Sequence, residues 1–182
     1  NFAFGLTADK VSDEEIASLD LSNWRVALCG AEPVHPNTLR RFVDRLEPAG
    51  FDPRAITPVY GLAEATLAVT FSDLDEEPKW ESFDAEALDT DREARPTPDG
   101  RELASLGKPL PGIRVEIRGE DGANLRDGLV GAVWTQSASV MTQYLGCPEA
   151  TRQTIREDGW LITGDTGFIH KGELYLCGRS KD

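Results

Sequence analysis

Tyr60, Gly61 and Glu64 fall together in "TPVYGLAEATL" (residues 57–67), directly after an apolar run. A surface loop has no need of a tyrosine there, and a core helix would not choose a glutamate. The combination of an aromatic, a flexible backbone position, a carboxylate and the nearby hydroxyl of Thr66 suits the floor of a ligand crevice. Glu32 stands in a second such segment, "GAEP" (30–33), and Asp165 in a third, "TGDTG" (163–167). Each has an ordinary alternative. Glu64 could be a helix-start carboxylate, Glu32 a structural carboxylate bonded to nearby amides, and Arg179 a surface ion-pair partner. Asp165 could be a turn residue, since Gly and Asp supply turn geometry.

The elements that must position these residues can be read from local patterns. "SDEEIASL" (12–19) carries a capping box in which Ser12 and Glu15 bond reciprocally, with Ile16 and Leu19 as an apolar face. "WRVALCG" (24–30) predicts a buried strand. "HPNTLRRFVDRLEPAG" (35–50) puts Leu39, Phe42, Val43 and Leu46 on one helical face. "AITPVYG" (55–61) predicts the next strand, with an irregular end at Pro58. Strand, helix and strand with short connections form a parallel crossover unit, whose functional loops lie at the strands' carboxyl ends. Both "GAEP" and "YGLAEAT" fall at such ends, so Tyr60 and Glu64 are expected to face a crevice shared with Glu32.

Three stretches follow the expected boundaries 1–72, 73–104 and 105–182. The middle one is acidic and interrupted by prolines, yet Trp80, Phe83 and Leu88 predict an ordered excursion pinned at a few points. The last one is β-rich. "IRVEIRG" (113–119) alternates apolar with charged residues, "VGAVWTQS" (130–137) is another strand, and "PEATRQTI" (148–155) is a short helix opening on Pro148. "GWLITG" and "GFIHKGELYLCGR" predict a strand and then a hairpin turning at Lys171–Gly172. The fold class is therefore α/β: a parallel strand-helix-strand unit followed by a smaller β-rich, distorted barrel-like subdomain.

Composition narrows the function. A chain of 182 residues with 40% apolar residues and four Trp can bury a sizeable core. A formal charge of −13 argues against nucleic acid or anionic membrane as a general partner. No apolar run approaches the ~20 residues of a membrane helix. Cys29, Cys147 and Cys177 form no C-x-x-C pair and read as reduced thiols of an intracellular, cytoplasmic protein, with Cys29 and Cys177 buried. Neither His35 nor His170 is assigned a catalytic role, and Trp160 is assigned to the core.

In order along the chain stand "GAEP", "YGLAE", "GKPLPG" (107–112), "GWLITGDTG" and "GRSKD". With "NFAF", "LSNWRVALCGAEPV" and "TPVYGLAEATL", this order resembles the adenylate-forming enzymes, and within them the fatty acyl-AMP ligases. The resemblance covers nearly the whole chain. It corresponds to the C-terminal part of the large N-terminal domain, up to the hinge before a small mobile domain. It implies ATP and AMP as cofactors together with Mg²⁺, a fatty acid as substrate, and an acyl carrier protein or coenzyme A as acceptor. Glu64 would help hold Mg²⁺. Tyr60 and Gly61, with the backbone of Gly30, Ala31 and Glu32, would enclose the adenine. Asp165 would accept from the ribose hydroxyls, Arg179 would add a ribose or phosphate contact, and Lys181 would mark the hinge.

One departure matters: Ala63 stands where the broader superfamily has a threonine, a change the fatty acyl-AMP ligases share. The Ser/Thr/Gly-rich phosphate loop and the small domain's lysine are not in this sequence, so the chain alone is expected to be inactive. The resemblance also implies that the excursion docks on the large domain and hinders the rotation needed to use coenzyme A. Its removal (residues 76–98) would then favour acyl-CoA formation. The competing readings are an acyl-CoA synthetase and a non-catalytic nucleotide- or acyl-binding module.

Overall fold

The computed structural model describes residues 1–179, so the expected hinge residue Lys181 lies outside the described residues. Helix α1 (Phe2–Lys10) leads to α2 (Asp13–Ala17), which starts on the Ser12/Glu15 capping box. Ile16 is buried as expected. Leu19 is 44% exposed, because α2 ends before the turn that would carry it inward. Strand β1 (Ala27–Cys29), helix α3 (Pro36–Leu46) and strand β2 (Ile56–Leu62) form the expected crossover, with β1 and β2 parallel. Leu39, Phe42 and Leu46 are buried on one face of α3. The buried strand predicted over 24–30 is shorter and one-sided. Ala27 and Cys29 pack under α3, while Leu28, pointing to the opposite face of the sheet, is 51% exposed because nothing among the described residues covers it there.

Strand β3 (Leu67–Phe71) pairs antiparallel with β2 and then with the short β6 (Lys108–Pro109), completing a sheet in the order β1-β2-β3-β6. Between β3 and β6 runs the acidic excursion. It is ordered: β4 (Trp80–Phe83) and β5 (Arg101–Ala104) form an antiparallel pair, joined through a π-helical turn at Ala87–Asp91.

The β-rich part comprises β7 (Arg114–Arg118), β8 (Gly131–Gln136), helix α4 (Pro148–Thr154), β9 (Leu161–His170) and β10 (Glu173–Arg179). Its sheet runs β10-β9-β8-β7, all antiparallel. It is open and does not close into a barrel. The free side of β10 is met instead by the chain entering β6, where the Leu106 amide donates to Leu174 (2.8 Å) and the Leu174 amide to Gly107 (2.9 Å).

Strands β9 and β10 match the sequence expectation at one point and depart from it at another. The hairpin turns at Lys171–Gly172, where both residues have positive φ, as expected. "TGDTG" is not a turn or a break, however, because β9 is continuous from 161 to 170. Its turn-forming residues make a bulge instead: Gly164 adopts φ +80°, and the register against β8 shifts between Ala132 and Trp134.

Successive residues of a strand face opposite sides, and the β10 strand uses both. Leu174, with Leu161, Val133 and Ile117, packs against Tyr60, Ala65 and Val69 of the first sheet. Tyr175 and Phe168 turn the other way and stack at 5.3 Å between ring centres, covered by Phe83, Leu88 and Ala94 from the excursion. The site therefore sits at the seam between the two sheets, and the excursion backs the second sheet from behind.

Candidate functional site

Tyr60 lies near the end of β2, and Asp165 lies in the bulge of β9, 105 residues later. The Tyr60 hydroxyl donates to Asp165 Oδ2 at 2.6 Å, and Arg179 Nε donates to Oδ1 at 3.0 Å. The Asp165 amide donates to Thr163 Oγ1 (3.1 Å), whose own hydroxyl donates to the Val133 carbonyl. Both carboxylate oxygens are thus oriented from outside the strand. Tyr60 is 6% exposed and Asp165 8%. Burial, followed by the Asp165 hydrogen bond, pushes the Tyr60 phenol far above its ordinary range, so it remains a neutral donor at any working pH. The structure gives Tyr60 a task the sequence did not reveal, holding this carboxylate, and leaves little of its ring open for a base.

Arg179 keeps a side chain 65% exposed next to the nearly buried carboxylate. A carboxylate gripped at one edge by a phenol and at the other by a guanidinium at the surface can still accept from a diol through its remaining lone pairs. That is the chemistry the ribose expectation requires.

Glu64 sits on a single 3₁₀ turn, Ala63–Ala65, between β2 and β3. The chain leaves this turn through Thr66 (φ +61°) and Leu67 (φ +104°), two left-handed positions held by non-glycine residues. Gly61 is required here for space, since a Cβ would lie 1.6 Å from the Leu67 carbonyl oxygen. Glu64 Oε1 accepts from the Tyr144 hydroxyl at 2.6 Å. Tyr144 was missed in the sequence reading. It lies 80 residues away in a loop whose residues carry no periodic or charged signal. Thr66, a candidate for a nearby hydroxyl, spends it on the Ser139 carbonyl at 2.6 Å.

The "GAEP" segment is at the neighbouring strand end. Ala31 adopts φ +65°, and Gly30 is pressed against Val59 so closely that a Cβ would meet its carbonyl oxygen at 2.7 Å. Glu32 does not join the other two carboxylates. It accepts from the Phe2 amide and lies 2.8 Å from the Asn1 nitrogen, and among the described residues it makes no hydrogen bond to Tyr60, Glu64 or Asp165. The structure thus brings Tyr60, Asp165 and Arg179 into one cluster and sets Glu64 beside it on the next turn. His35, His170 and Trp160 stand outside this cluster; Trp160 is buried, with Arg114 and Arg118 over its ring.

An α/β crossover with carboxylates at its strand ends, facing a second sheet, sets those carboxylates where open α/β folds bind their ligands. The profile of AMP-binding enzymes matches residues 4–145, and the chain belongs to this family. Among its relatives is the long-chain-fatty-acid–AMP ligase FadD26 of Mycobacterium tuberculosis, 38% identical, aligned over all of this chain and 34% of that protein. A Caulobacter vibrioides protein named as an acyl-CoA synthetase is also 38% identical, over all of this chain and 32% of its own length. The fatty acid AMP ligase of Legionella pneumophila superposes with a TM-score of 0.92 at 36% identity, covering this whole chain and 33% of that one. The chain spans about a third of the length of the relatives it matches.

Proposed function

We propose that this chain carries the adenosine- and magnesium-facing part of a fatty acyl-AMP ligase. The full-length protein would join a fatty acid's carboxylate to the α-phosphate of ATP and pass the acyl group to a carrier protein. The observation that carries this reading is the Tyr60–Asp165–Arg179 cluster, a carboxylate oriented by two donors at a strand-end crevice. Asp165 accepts from the ribose hydroxyls, and Arg179 offers its exposed guanidinium to ribose or phosphate. Gly30, Ala31 and Glu32 line the adenine edge through their backbone, with the small exposed part of Tyr60.

Glu64 fits one Mg²⁺, a hard cation that takes one or two carboxylates and completes its shell with phosphate oxygens and water. Its Oε2 accepts no hydrogen bond from the described residues, while Oε1 is taken by Tyr144. No group of three or more His, Cys, Asp or Glu able to hold an ion occurs among the described residues, so the ion would lean on the nucleotide's own phosphates. Held there, the ion would supply charge neutralisation for the departing pyrophosphate. Free cysteines and the acidic surface suit a cytoplasmic enzyme, and no helix of the described residues is long and apolar enough to cross a membrane.

We take residues 73–104 as the unit that selects the acceptor. Trp80 lies against the first core with the Arg40 guanidinium 5.8 Å from its ring centre, and Arg40 forms a bidentate pair with Glu102 at 2.6 and 2.7 Å. This grip ties the excursion to α3. Product analysis of the full-length protein with ATP, Mg²⁺ and fatty acids tests the proposal. It should release pyrophosphate and load a carrier protein in preference to coenzyme A, and Trp80→Ala should raise acyl-CoA formation while adenylation persists. The isolated chain should show no turnover above a heat-inactivated control. A full-length protein that releases no pyrophosphate rejects the ligase reading. One that makes acyl-CoA as readily as it loads a carrier rejects the acceptor assignment in favour of an acyl-CoA synthetase.

A further inference from the structure

Glu64 is poorly fixed by its own backbone. It stands on one turn of 3₁₀ helix that leads into two left-handed residues, with no helix or ladder to limit its rotamers. What fixes it comes from residues 137–147. The Met141 amide donates to the Glu64 carbonyl at 2.7 Å, Thr66 Oγ1 donates to the Ser139 carbonyl at 2.6 Å, and the Tyr144 hydroxyl donates to Glu64 Oε1 at 2.6 Å. Three hydrogen bonds therefore join two short segments that are otherwise far apart in sequence. Tyr144 is in turn braced by α4: its amide donates to Thr151 Oγ1 at 3.0 Å, and Thr151 donates onward to the Cys147 carbonyl.

We propose that Tyr144 is a positioning residue for the proposed reaction, holding one oxygen of Glu64 so that the other is presented to the divalent cation that accompanies the nucleotide. The inference rests on the ligase reading given above. A phenol is suited to this task. It donates a single short, charge-assisted hydrogen bond and cannot itself replace the metal as a second cation would. Among the described residues, the loop's other hydrogen bonds to this turn reach the Glu64 carbonyl and the Thr66 hydroxyl, not the carboxylate.

The test uses the full-length protein and reads binding before chemistry. Magnesium is titrated into protein with a non-reacting ATP analogue, and nucleotide binding is followed by calorimetry. Tyr144→Phe keeps the ring and removes the donor. Loss of one hydrogen bond to a charged group, taken at the low end of its worth, predicts that half-saturating Mg²⁺ rises about tenfold, with nucleotide affinity at saturating Mg²⁺ unchanged. Thr151→Val, which loosens Tyr144 through its backbone, should shift the same curve in the same direction by less. In the Glu64→Gln background, Tyr144→Phe should add nothing. Overlaying titrations for wild type and Tyr144→Phe, or additive shifts in the double variant, would overturn the inference and leave the ligase reading intact. A wild-type protein that binds no Mg²⁺·nucleotide and releases no pyrophosphate would instead remove the ligase reading and this inference with it. Should Tyr144→Phe not fold, Thr151→Val decides alone, an unshifted curve counting against the proposal.

Discussion

Asp165→Ala in the full-length protein is expected to lower kcat/KM for ATP by at least about tenfold, since two charge-assisted hydrogen bonds to a ribose are worth roughly 1.5–3 kcal/mol each. The structure adds a second consequence. The Tyr60 hydroxyl, buried and 2.6 Å from Asp165 Oδ2, would lose its acceptor. An unsatisfied buried donor costs about 1–3 kcal/mol, so stability should fall along with activity. The two effects separate in a variant that also carries Tyr60→Phe. Its denaturant midpoint should recover part of the loss, while ATP kinetics remain impaired. Unchanged ATP kinetics in Asp165→Ala would reduce the residue to a strut between two sheets.

Gly61→Ala is expected to damage the fold severely for the sake of a single added methyl. The added Cβ would lie 1.6 Å from the Leu67 oxygen, 2.6 Å from its carbonyl carbon and 3.0 Å from Ala68 Cα. All three are backbone atoms, so no flexible side chain can move aside. The β2–β3 pairing would have to open at its bulge, with a loss of about 4 kcal/mol or more, in the range reserved for severe steric disruption. Gly112→Ala supplies the comparison. That position has φ +82° but nothing within 4 Å, so it carries only backbone strain, about 1–2 kcal/mol. Equal losses in the two variants, measured by equilibrium denaturation, would refute the steric argument.

Much of the local structure was legible in the sequence because its signals are local. The Ser12/Glu15 capping box, the apolar stripe of α3, the alternation of β7 and the Lys171–Gly172 hairpin each involve residues within a few positions of one another. "TGDTG" misled because the same Gly and Asp preferences serve a turn and a bulge, and only pairing with β8 decides between them. Leu28 misled because an apolar residue in a short strand does not say which face will find a partner. At the site, strand-end positions grouped Tyr60 and Glu64 with Glu32, and the family resemblance added Asp165 and the roles of each. The Tyr60–Asp165 and Tyr144–Glu64 bonds were not legible. They span 105 and 80 residues, and a long-range hydrogen bond leaves no periodicity to read.

The two-sided use of β9 and β10 makes the acidic excursion a wall shared by two rooms. Asp165 and Arg179 belong to strands whose opposite face is sealed by Phe83 and Leu88 against Phe168 and Tyr175. Such a segment is not a removable attachment. Its cohesion and the geometry of the crevice draw on the same backbone, so loosening one should raise amide exchange in the other. Phe83→Ala, on the opposite face of the sheet from Asp165, would then be felt as faster exchange at residues 165–168, and the two regions would melt in one transition.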